Sequence, residues 1–447
     1  MLRLCEFVSD TPAAAIPSAA WERARTVLVD TAGVIVGGSG AAEIGALGEG
    51  FSQVPGGSAR FGRTGRYAPQ DAALLNGLAG STLEFEEGNS RAKGHPAIQL
   101  LPAIAAVSDA RRSSGETLLA GIALGYEAAA RVSRACNLRK GFHPSGTWGT
   151  VGAALGVGRV LSRSAEELAE VANLAAGFCI SPYVRNSFSG YSAAATFAAL
   201  ANHLGVLANV FHDSGLRADP ASFSVTFSKF VSDSLAWEEL TRDLGSDYAI
   251  ASGYLKHYPS CRFTHPAVDA LERLLESGSV RPEEIERLDV TTYDAAAHAT
   301  GIPRNADALR FSIPYLLAAR LCFGELDRAV LTDECVDDPA VVSLAERVAV
   351  AARPEYEALR PACSPARVEL RLKDGRTLAE EVLCCRGDPH APLTPGEVER
   401  KFLGLAEPTL GPEKARGFLR SAARVEELPD VRELFLRLQP DADLSRA

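Results

Sequence analysis

The sequence predicts a mainly α-helical protein, with a large helical domain followed by a smaller α+β domain. Residues from about 19 to 210 follow helical patterns nearly throughout, in long alanine- and glycine-rich segments. After about residue 280, stretches such as IERLDVTTYDAA alternate branched and polar residues, which is typical of strands. The tail returns to helical periodicity. With 447 residues, the chain is long enough for two or three domains.

Two pairs of helices are predicted in the first part. In PAIAAVSDARRSSGETLLAGIALGYEAAARV, the segment SSGE separates two periodic runs, so Ser114 or Gly115 begins the second helix. In GTVGAALGVGRVLSRSAEELAEVANLAAGF, Ser164 is followed three residues later by Glu167, which predicts a capping box. Small residues on successive helices allow close backbone approach. We therefore expect a compact set of buried helices.

The later part predicts a small antiparallel sheet. ARVELRLKDGRTLAEEVL has the pattern of two strands joined by a turn at Asp374 and Gly375. Helical runs occur at RFSIPYLLAARLCF and PAVVSLAERVAVA. The tail, from LTPGEVERKFLGLA to VRELFLRL, is helical and is expected to pack back on the first domain.

Composition restricts the partners and the location. A formal net charge of -10 argues against a nucleic-acid partner. Glu6 and Asp10 interrupt what would be the apolar part of a signal peptide, and no run approaches the roughly 20 apolar residues that span a bilayer. We therefore expect a cytoplasmic protein without a membrane partner. Nine cysteines without a CxxC pair favour reduced thiols over a disulfide framework or an iron-sulfur cluster.

YLKHYPSCRFTH, residues 254 to 265, concentrates reactive side chains. His257, Cys261 and His265 are spaced four apart, as zinc ligands on a helix would be, but Pro259 would break that helix. No metal site is therefore predicted. Cys261 as a nucleophile would need neighbouring cations to lower its pKa, and a buried free cysteine is the more common alternative.

Three further segments contain candidate site residues. LEFEEGNSRAKGHP holds Glu84 and His95 in a mixed charge run, which is also typical of a solvated loop. GFHPSGTWG holds His143 and Ser145 at the start of a helical run, where free backbone N–H groups can bind an anion. In RFSIPYLLAA, Tyr315 follows Pro314 and is close to Arg310 in the sequence, and the pattern alone favours a partly buried core aromatic whose hydroxyl has a partner.

Several common catalytic motifs are missing from the sequence. It has no G-x-S-x-G, no P-loop and no G-x-G-x-x-G after a strand, which removes the strongest hydrolase, NTPase and dinucleotide interpretations.

Five motifs in fixed order resemble one family. EFEE followed by HP, GYEAAARV, GFHPSGTWGTVGAALGVGRVL, KHYPSCRFTHPAVDAL and RFSIPYLLAARLCFG are similar to the MmgE/PrpD family, which includes 2-methylcitrate dehydratase and cis-aconitate decarboxylase. The resemblance covers roughly residues 5 to 400. It implies an all-helical domain at 1–255, completed by C-terminal helices at 393–447, and an α+β lid domain at 256–392. It also implies an active site in the cleft between them, a homodimer and no cofactor.

The resemblance also implies site residues for a small polycarboxylate substrate. The implied catalytic residues are Glu84, His95, His143, Lys256 and Tyr315, and the expected substrate-binding residues are Ser145, Arg185, Arg262 and His265. Glu84 replaces the family's usual aspartate, Arg185 its usual lysine, and Phe188 its usual histidine. Cys261 stands where the decarboxylase branch carries histidine, which favours another reaction.

The expected activity is a cofactor-independent lyase, with dehydration of a hydroxy di- or tricarboxylate as the leading reaction. Either His143 or His95 could be the base, and the proton donor could be Glu84, Tyr315 or Lys256. Epimerisation or decarboxylation of a related acid begins with a similar carbanion-like state and stays an alternative. A catalytically silent relative that only binds a carboxylate is the third.

Overall fold

The computed structural model describes residues 1–441 except 181, 277 and 279. Residues 442–447, the end of the predicted C-terminal helical segment, therefore lie outside the described residues. The described residues form two large hydrophobic cores. One takes residues from Leu4 to Ile250 and again from Phe402 to Leu438, and the other takes residues from Tyr258 to Cys385. The chain thus folds into a helical domain and a second, α+β domain.

The helical domain is built from α-helices joined by short connections, with two two-stranded sheets. Its helices are α1 Leu2–Asp10, α2 Ser18–Gly38, α3 Ala42–Glu49, α4 Pro69–Ser81, α5 Pro96–Arg111, α6 Gly115–Ala135, α7 Trp148–Val160, α8 Ala165–Ala176, α9 Arg185–Phe188, α10 Thr196–Asp213 and α11 Ser222–Val225. Its strands are β1 Gln53–Ala59, β2 Arg66–Tyr67, β3 Cys136–Leu138 and β4 Ser232–Leu235. The β1–β2 hairpin interrupts a segment that the sequence predicted as helical.

Glycine permits the close packing of the central helices. A Cβ on Gly125 of α6 would lie 2.8 Å from the Cα of Gly156 in α7, so only hydrogen fits between these helices. The predicted helix starts are confirmed: the Ser114 hydroxyl accepts from the Thr117 N–H at 3.2 Å, and Ser164 and Glu167 form the capping box.

The second domain holds a four-stranded sheet covered by helices. Its strands are β5 Ile285–Thr292, β6 Val348–Ala352, β7 Ala366–Leu372 and β8 Thr377–Val382, in the order β6-β5-β7-β8. Its helices are α12 His265–Glu276, α13 Asp294–Ala297, α14 Ala306–Leu309, α15 Ile313–Phe323, α16 Asp333–Asp337, α17 Pro339–Ala345 and α18 Pro354–Glu357.

The sheet differs from the prediction at β6. PAVVSLAERVAVA was predicted as one helix, but the helix ends at Ala345 and Val348–Ala352 form a strand parallel to β5. The prediction of a purely antiparallel sheet was therefore wrong, because the alternating valines of this short run suit a sheet edge. The strand pair around Gly375, whose φ of 90° suits glycine, is confirmed.

The C-terminal helices return to the first domain. They are α19 Pro395–Leu410, α20 Pro412–Ala422 and α21 Arg432–Leu436. Phe402 of α19 packs against α2, where a Cβ on Gly33 would lie 3.3 Å from the Phe402 Cα. Helix α19 thereby lies next to the segment around residue 85, where Lys401 donates to the Phe85 carbonyl.

One helical stretch, Ser192–Asp213, is long and apolar enough to cross a membrane by length and composition, with a mean hydropathy of 1.4. It is 56% buried inside the fold, where α10 packs against α4 and α7. Helices α2 and α3 pass the same test only when they are taken together, and they meet at an angle of 88°. The apolar character of α10 is accounted for by the helical core.

Candidate active site

A cavity of about 1310 Å³ lies between the two domains. Both domains contribute to its walls. The helical-domain wall includes Glu84, Glu86, His95, His143 and Ser145, and the wall from the second domain, here called the lid wall, includes Cys261, Arg262, Tyr293, Arg310 and Arg360. Titratable groups thus converge on one concave site, which makes it the candidate active site.

The loop between α4 and α5 supplies the carboxylates and one histidine. Its shape is fixed by Asn89, whose side chain accepts from the Ala92 N–H at 3.0 Å and donates to the Ala249 carbonyl at 2.8 Å. Glu84 adopts a φ of 51°, an unusual backbone conformation for a residue other than glycine. Such conformations concentrate at functional sites, where the surrounding structure holds them in place.

Lys256 is fully buried and binds both carboxylates of this loop. Its Nζ lies 2.7 Å from Glu84 Oε1 and 3.5 Å from Glu86 Oε1, and it donates to the Glu84 carbonyl at 2.8 Å. Burial alone would lower the pKa of Lys256, but the charges of Glu84 and Glu86 outweigh it and raise that pKa. The ammonium therefore stays charged.

The two carboxyl groups titrate in opposite directions. Burial disfavours the Glu84 carboxylate, but the charges of Lys256 and His95 outweigh burial and lower its pKa. Burial, together with the negative charge of Glu84, raises the pKa of Glu86 to about 7. The Oε2 atom of Glu86 is buried and has no hydrogen-bond partner among the described residues. Near neutral pH the cluster therefore holds one ionised carboxylate and one carboxyl group that can carry a proton.

His95 stands at the start of α5. Its Nδ1 lies 2.8 Å from the carbonyl oxygen of Glu87, which only accepts, so Nδ1 carries the proton. Burial and the Lys256 charge lower the pKa of His95 to about 4. At neutral pH its Nε2 is therefore an unprotonated nitrogen, and it has no hydrogen-bond partner among the described residues.

His143 has the opposite tautomer. The backbone N–H of Ser145 donates to its Nδ1 at 3.1 Å, which leaves the proton of the neutral ring on Nε2. Burial and the neighbouring His95 lower the pKa of His143 to about 4. Ser145 is itself buried and lines the cavity. The site thus holds one histidine nitrogen that can accept a proton and one N–H that can donate a hydrogen bond.

Two arginines of the lid wall face this cluster. Arg262 lies 2.6 Å from Asp388, and its guanidinium carbon lies 4.5 Å from the centre of the Tyr254 ring. Arg310 donates to Asp307 at 2.7 Å and to the carbonyl of Thr82 at 3.2 Å. Arg310 is 8% exposed, and its Nε is buried without a partner among the described residues. The wall carries positive charge that carboxylates already hold in place.

Four predicted site residues do not line the cavity: Lys256, which is buried beneath Glu84 and Glu86, and His265, Tyr315 and Arg185. His265 is fully buried behind Arg262, and its Nδ1 lies 3.2 Å from Arg262 Nη1. Tyr315 packs in the core of the second domain, because it lies on the part of α15, residues 313–319, that is buried throughout. Arg185 is exposed on α9, whose Ser187 and Phe188 face the cavity instead. The structure thus places His265, Tyr315 and Arg185 outside the cavity lining, where the sequence had led us to expect them at its surface.

The chemistry of the cysteines also differs from expectation. Cys363 and Cys384 pair as a disulfide with Cα atoms 5.0 Å apart, which the preference for reduced thiols over a disulfide framework did not anticipate, and the other seven cysteines are free. Cys261 lines the cavity, but burial and the charge of Glu84 raise its thiol pKa to about 12. A thiolate nucleophile is therefore disfavoured at this position.

A different trio, Glu84, Glu86 and His95, offers ligand atoms within 4.8 Å of one another. This geometry suits a cation, but the Lys256 ammonium already contacts both carboxylates. The cluster is therefore balanced by a charge of the chain itself. Among the residues described, His257, Cys261 and His265 form no comparable group.

Sequence reasoning left three contributors without a role. Glu86 appeared only as part of a charge run, and its EFEE spacing, with Glu84 two residues away, was the available signal. Arg310 was noticed only as a neighbour of Tyr315. Lys401, in the tail, gave no signal, because its contacts to residues 85 and 256 depend on how α19 packs.

The fold and the site define a class: a two-domain protein with a helical body and an α+β second domain, and a cavity of acid-base groups and cations between them. The MmgE/PrpD N-terminal domain matches residues 2–228 and the MmgE/PrpD C-terminal domain matches residues 258–427. The chain belongs to the MmgE/PrpD family.

Curated relatives are similar over nearly the whole chain. The cis-aconitate decarboxylase-like protein oryM of Aspergillus oryzae is 26% identical, covering 96% of this chain and 95% of its own. Cis-aconitate decarboxylase of Aspergillus terreus is 23% identical, with 96% and 91% covered. Cis-aconitate decarboxylase of Mus musculus is 24% identical, with 82% and 77% covered. The last two are decarboxylases and therefore lyases.

Proposed function

We propose that this protein is a cofactor-independent lyase that acts on a small polycarboxylate by proton transfer, with dehydration of a hydroxy acid as the leading reaction. The opposite tautomers of His95 and His143 are the observation that carries this proposal. Elimination needs a base for the proton α to a carboxylate and a donor for the charge that develops. A free Nε2 on His95 and an Nε2–H on His143 supply these two functions.

In the proposed step, Nε2 of His95 takes the α proton, and the electrons of the broken C–H bond form the carbon-carbon double bond as the C–O bond breaks. The leaving hydroxide takes a proton from the Glu86 carboxyl group and departs as water. His143 stays neutral and donates its Nε2–H to the substrate carboxylate as that group gains negative charge. Glu86 is the donor because its pKa is about 7, whereas the Lys256 protons are held by carboxylates.

The cations account for the class of substrate. Lys256 supplies positive potential beneath the carboxylates, and Arg262 and Arg310 face the cluster from the lid wall. Arginine binds carboxylates through charge-assisted hydrogen bonds. Cationic donors that are fixed before the reaction stabilise the carbanion-like state most strongly in a cavity shielded from water. A di- or tricarboxylate fits the two arginines of the lid wall, Arg262 and Arg310, which both line the cavity.

Decarboxylation is the second candidate, and the names of the curated relatives favour it. Loss of CO₂ from a β,γ-unsaturated acid leaves an electron pair that a proton donor must quench, which Glu86 could do without a base. Cys261 at the decarboxylase branch's histidine position weighs against this reaction. The same site therefore has two candidate reactions, and their products distinguish them directly.

Incubation in deuterium oxide with 2-methylcitrate, citrate, cis-aconitate and amino- or iminodicarboxylates, followed by proton NMR, tests these functions. A new alkene with loss of water indicates dehydration, and release of CO₂ indicates decarboxylation. Deuterium on an α-carbon without net product indicates epimerisation. Saturable binding without any of these changes would replace the lyase by a silent carboxylate-binding protein. EDTA should leave the activity unchanged, and loss that zinc restores would contradict the metal-independent mechanism.

A further inference from the structure

Lys401 of α19 lies directly beneath the candidate active site without lining it. Its Nζ forms an ion pair with Asp30 of α2 at 2.7 Å, and it donates to the carbonyls of Phe85 at 2.8 Å and Lys256 at 3.0 Å. The side chains of Lys401 and Asp30 are 7% and 0% exposed. Lys401 thus makes two hydrogen bonds to backbone carbonyls and one ion pair, and neither carboxylate oxygen of Asp30 has a hydrogen-bond partner among the described residues.

The two carbonyls belong to the two segments that build the proton-transfer cluster. Phe85 stands between Glu84 and Glu86, and the other carbonyl is that of Lys256 itself. The side chains of these residues meet on the cavity side, where Lys256 Nζ contacts both carboxylates. Lys401 therefore binds the backbone of both segments on the side away from the cavity, while their side chains meet on the cavity side.

Charge explains why a paired lysine suits this position. Burial lowers the pKa of Lys401, and the charge of Asp30 opposes this effect. Because the charge of Asp30 balances the charge of Lys401, Lys256 is the cation that pairs with Glu84 and Glu86. The Phe85 ring, whose centre is 3.9 Å from Lys401 Nζ, covers the ammonium further. A buried ion pair that also holds two backbone carbonyls by hydrogen bonds can fix geometry even where it adds little stability.

We propose that Lys401, balanced by Asp30, is a positioning residue that sets the distance between Lys256 and the Glu84–Glu86 pair, and through them the environment of His95. The C-terminal helix α19 is thereby part of the candidate active site. This role of Lys401 rests on the function proposed above, because the groups that it arranges are the proposed proton-transfer groups.

The test replaces the pair by neutral groups of similar size, Lys401→Met with Asp30→Asn, so that no uncompensated charge stays buried. The kcat on the identified substrate should fall about 10²-fold with a smaller change in KM, because misplacement of catalytic groups by about 1 Å costs this much. Lys401→Arg with Asp30 intact should lose less, because it keeps the charge and several donors.

A second readout does not need a substrate. The pKa of His95, followed by histidine NMR and assigned with His95→Gln, should rise from about 4 toward its ordinary value as the packing of the cluster loosens. The ionisable groups that act on His95 are Glu84, Glu86, Lys256 and His143, and Glu87 contributes its carbonyl. This measurement remains decisive if no tested acid reacts, so a failure of the proposed function and a failure of this role are distinguishable.

Arg66→Met with Asp109→Asn is the matched control. Asp109 is 1% exposed and pairs with Arg66 at 2.5 Å near the far end of α5 from His95. Thermal unfolding should show whether the two double variants lose similar stability. The control should keep both kcat and the His95 pKa. A Lys401–Asp30 variant that is folded and retains the wild-type kcat and His95 pKa would overturn the role, as would equal effects in the control.

Discussion

The two walls of the cavity are built differently. On the helical-domain wall, Glu84 and Glu86 both contact Lys256, which is buried behind them, and each histidine is fixed in one tautomer by a backbone group. On the lid wall, Arg262 and Arg310 are each tied to a carboxylate of their own domain, Asp388 and Asp307 respectively. The first arrangement shifts pKa values, and the second supplies fixed positive charge. We infer that the helical-domain wall performs the proton transfers and the lid wall binds the carboxylates.

The largest expected effect is on the helical-domain wall. His95→Gln should lower kcat by about 10²- to 10⁴-fold with little change in KM, because it removes the proposed base. His203→Gln is the control, since His203 also has its Nδ1 on a carbonyl, that of Gln70 at 3.0 Å, but lies outside the cavity lining. Steady-state kinetics measures both. Comparable losses in the two variants would remove His95 from the mechanism.

The second prediction concerns pH. The proposed mechanism requires neutral His95 and protonated Glu86, so kcat/KM should fall below about pH 4 and again above about pH 7. Glu86→Gln should lower kcat about 10²-fold. It should also abolish the fall in kcat/KM at alkaline pH, because the variant has no carboxyl group at position 86 to titrate.

Glu87→Gln controls for burial in that experiment. Burial also raises the pKa of Glu87 to about 7, but its carboxyl group meets Tyr126 and the Ala97 N–H rather than the cavity. The alkaline fall should persist in this variant. If the alkaline fall disappeared in Glu87→Gln and persisted in Glu86→Gln, Glu86 would not be the proton donor.

Substitutions on the lid wall should change KM rather than kcat. Arg310→Met should raise KM about tenfold or more with kcat nearly unchanged, since a hydrogen bond to a charged group contributes about 1.5–3 kcal/mol. Arg320→Met is the control, because Arg320 also pairs with a lid carboxylate, Glu272, but lies outside the cavity lining. A loss confined to kcat in Arg310→Met would contradict the division of roles between the walls.

The smallest effects should come from two residues that the sequence placed in the site. Tyr315→Phe and Arg185→Ala should leave kcat and KM unchanged, because Tyr315 packs in the lid core and Arg185 is exposed outside the cavity lining. Kinetics on both variants, with circular dichroism to confirm folding, checks this. A large loss of kcat in either would show that the lid or α9 moves during turnover.

The sequence predicted much of this arrangement and failed in explainable places. Ser114 and Ser164 marked helix starts correctly, since capping depends on neighbours within one turn. The strand at Val348–Ala352 was missed because a short apolar run has no clear period. Tyr315 was misplaced for a related reason. In a part of a helix that is buried throughout, periodicity does not indicate which side faces the cavity.

The sequence by itself determined the two-part fold, the family and the local motifs that carry His95, His143, Lys256 and Arg262, because these depend on residues close together in the chain. Only the tertiary structure decided the tautomers of the histidines, the opposite pKa shifts of Glu84 and Glu86, and the place of Lys401 beneath them. These properties depend on burial and on contacts between segments far apart in the chain, such as residues 85, 256 and 401, which no local pattern encodes.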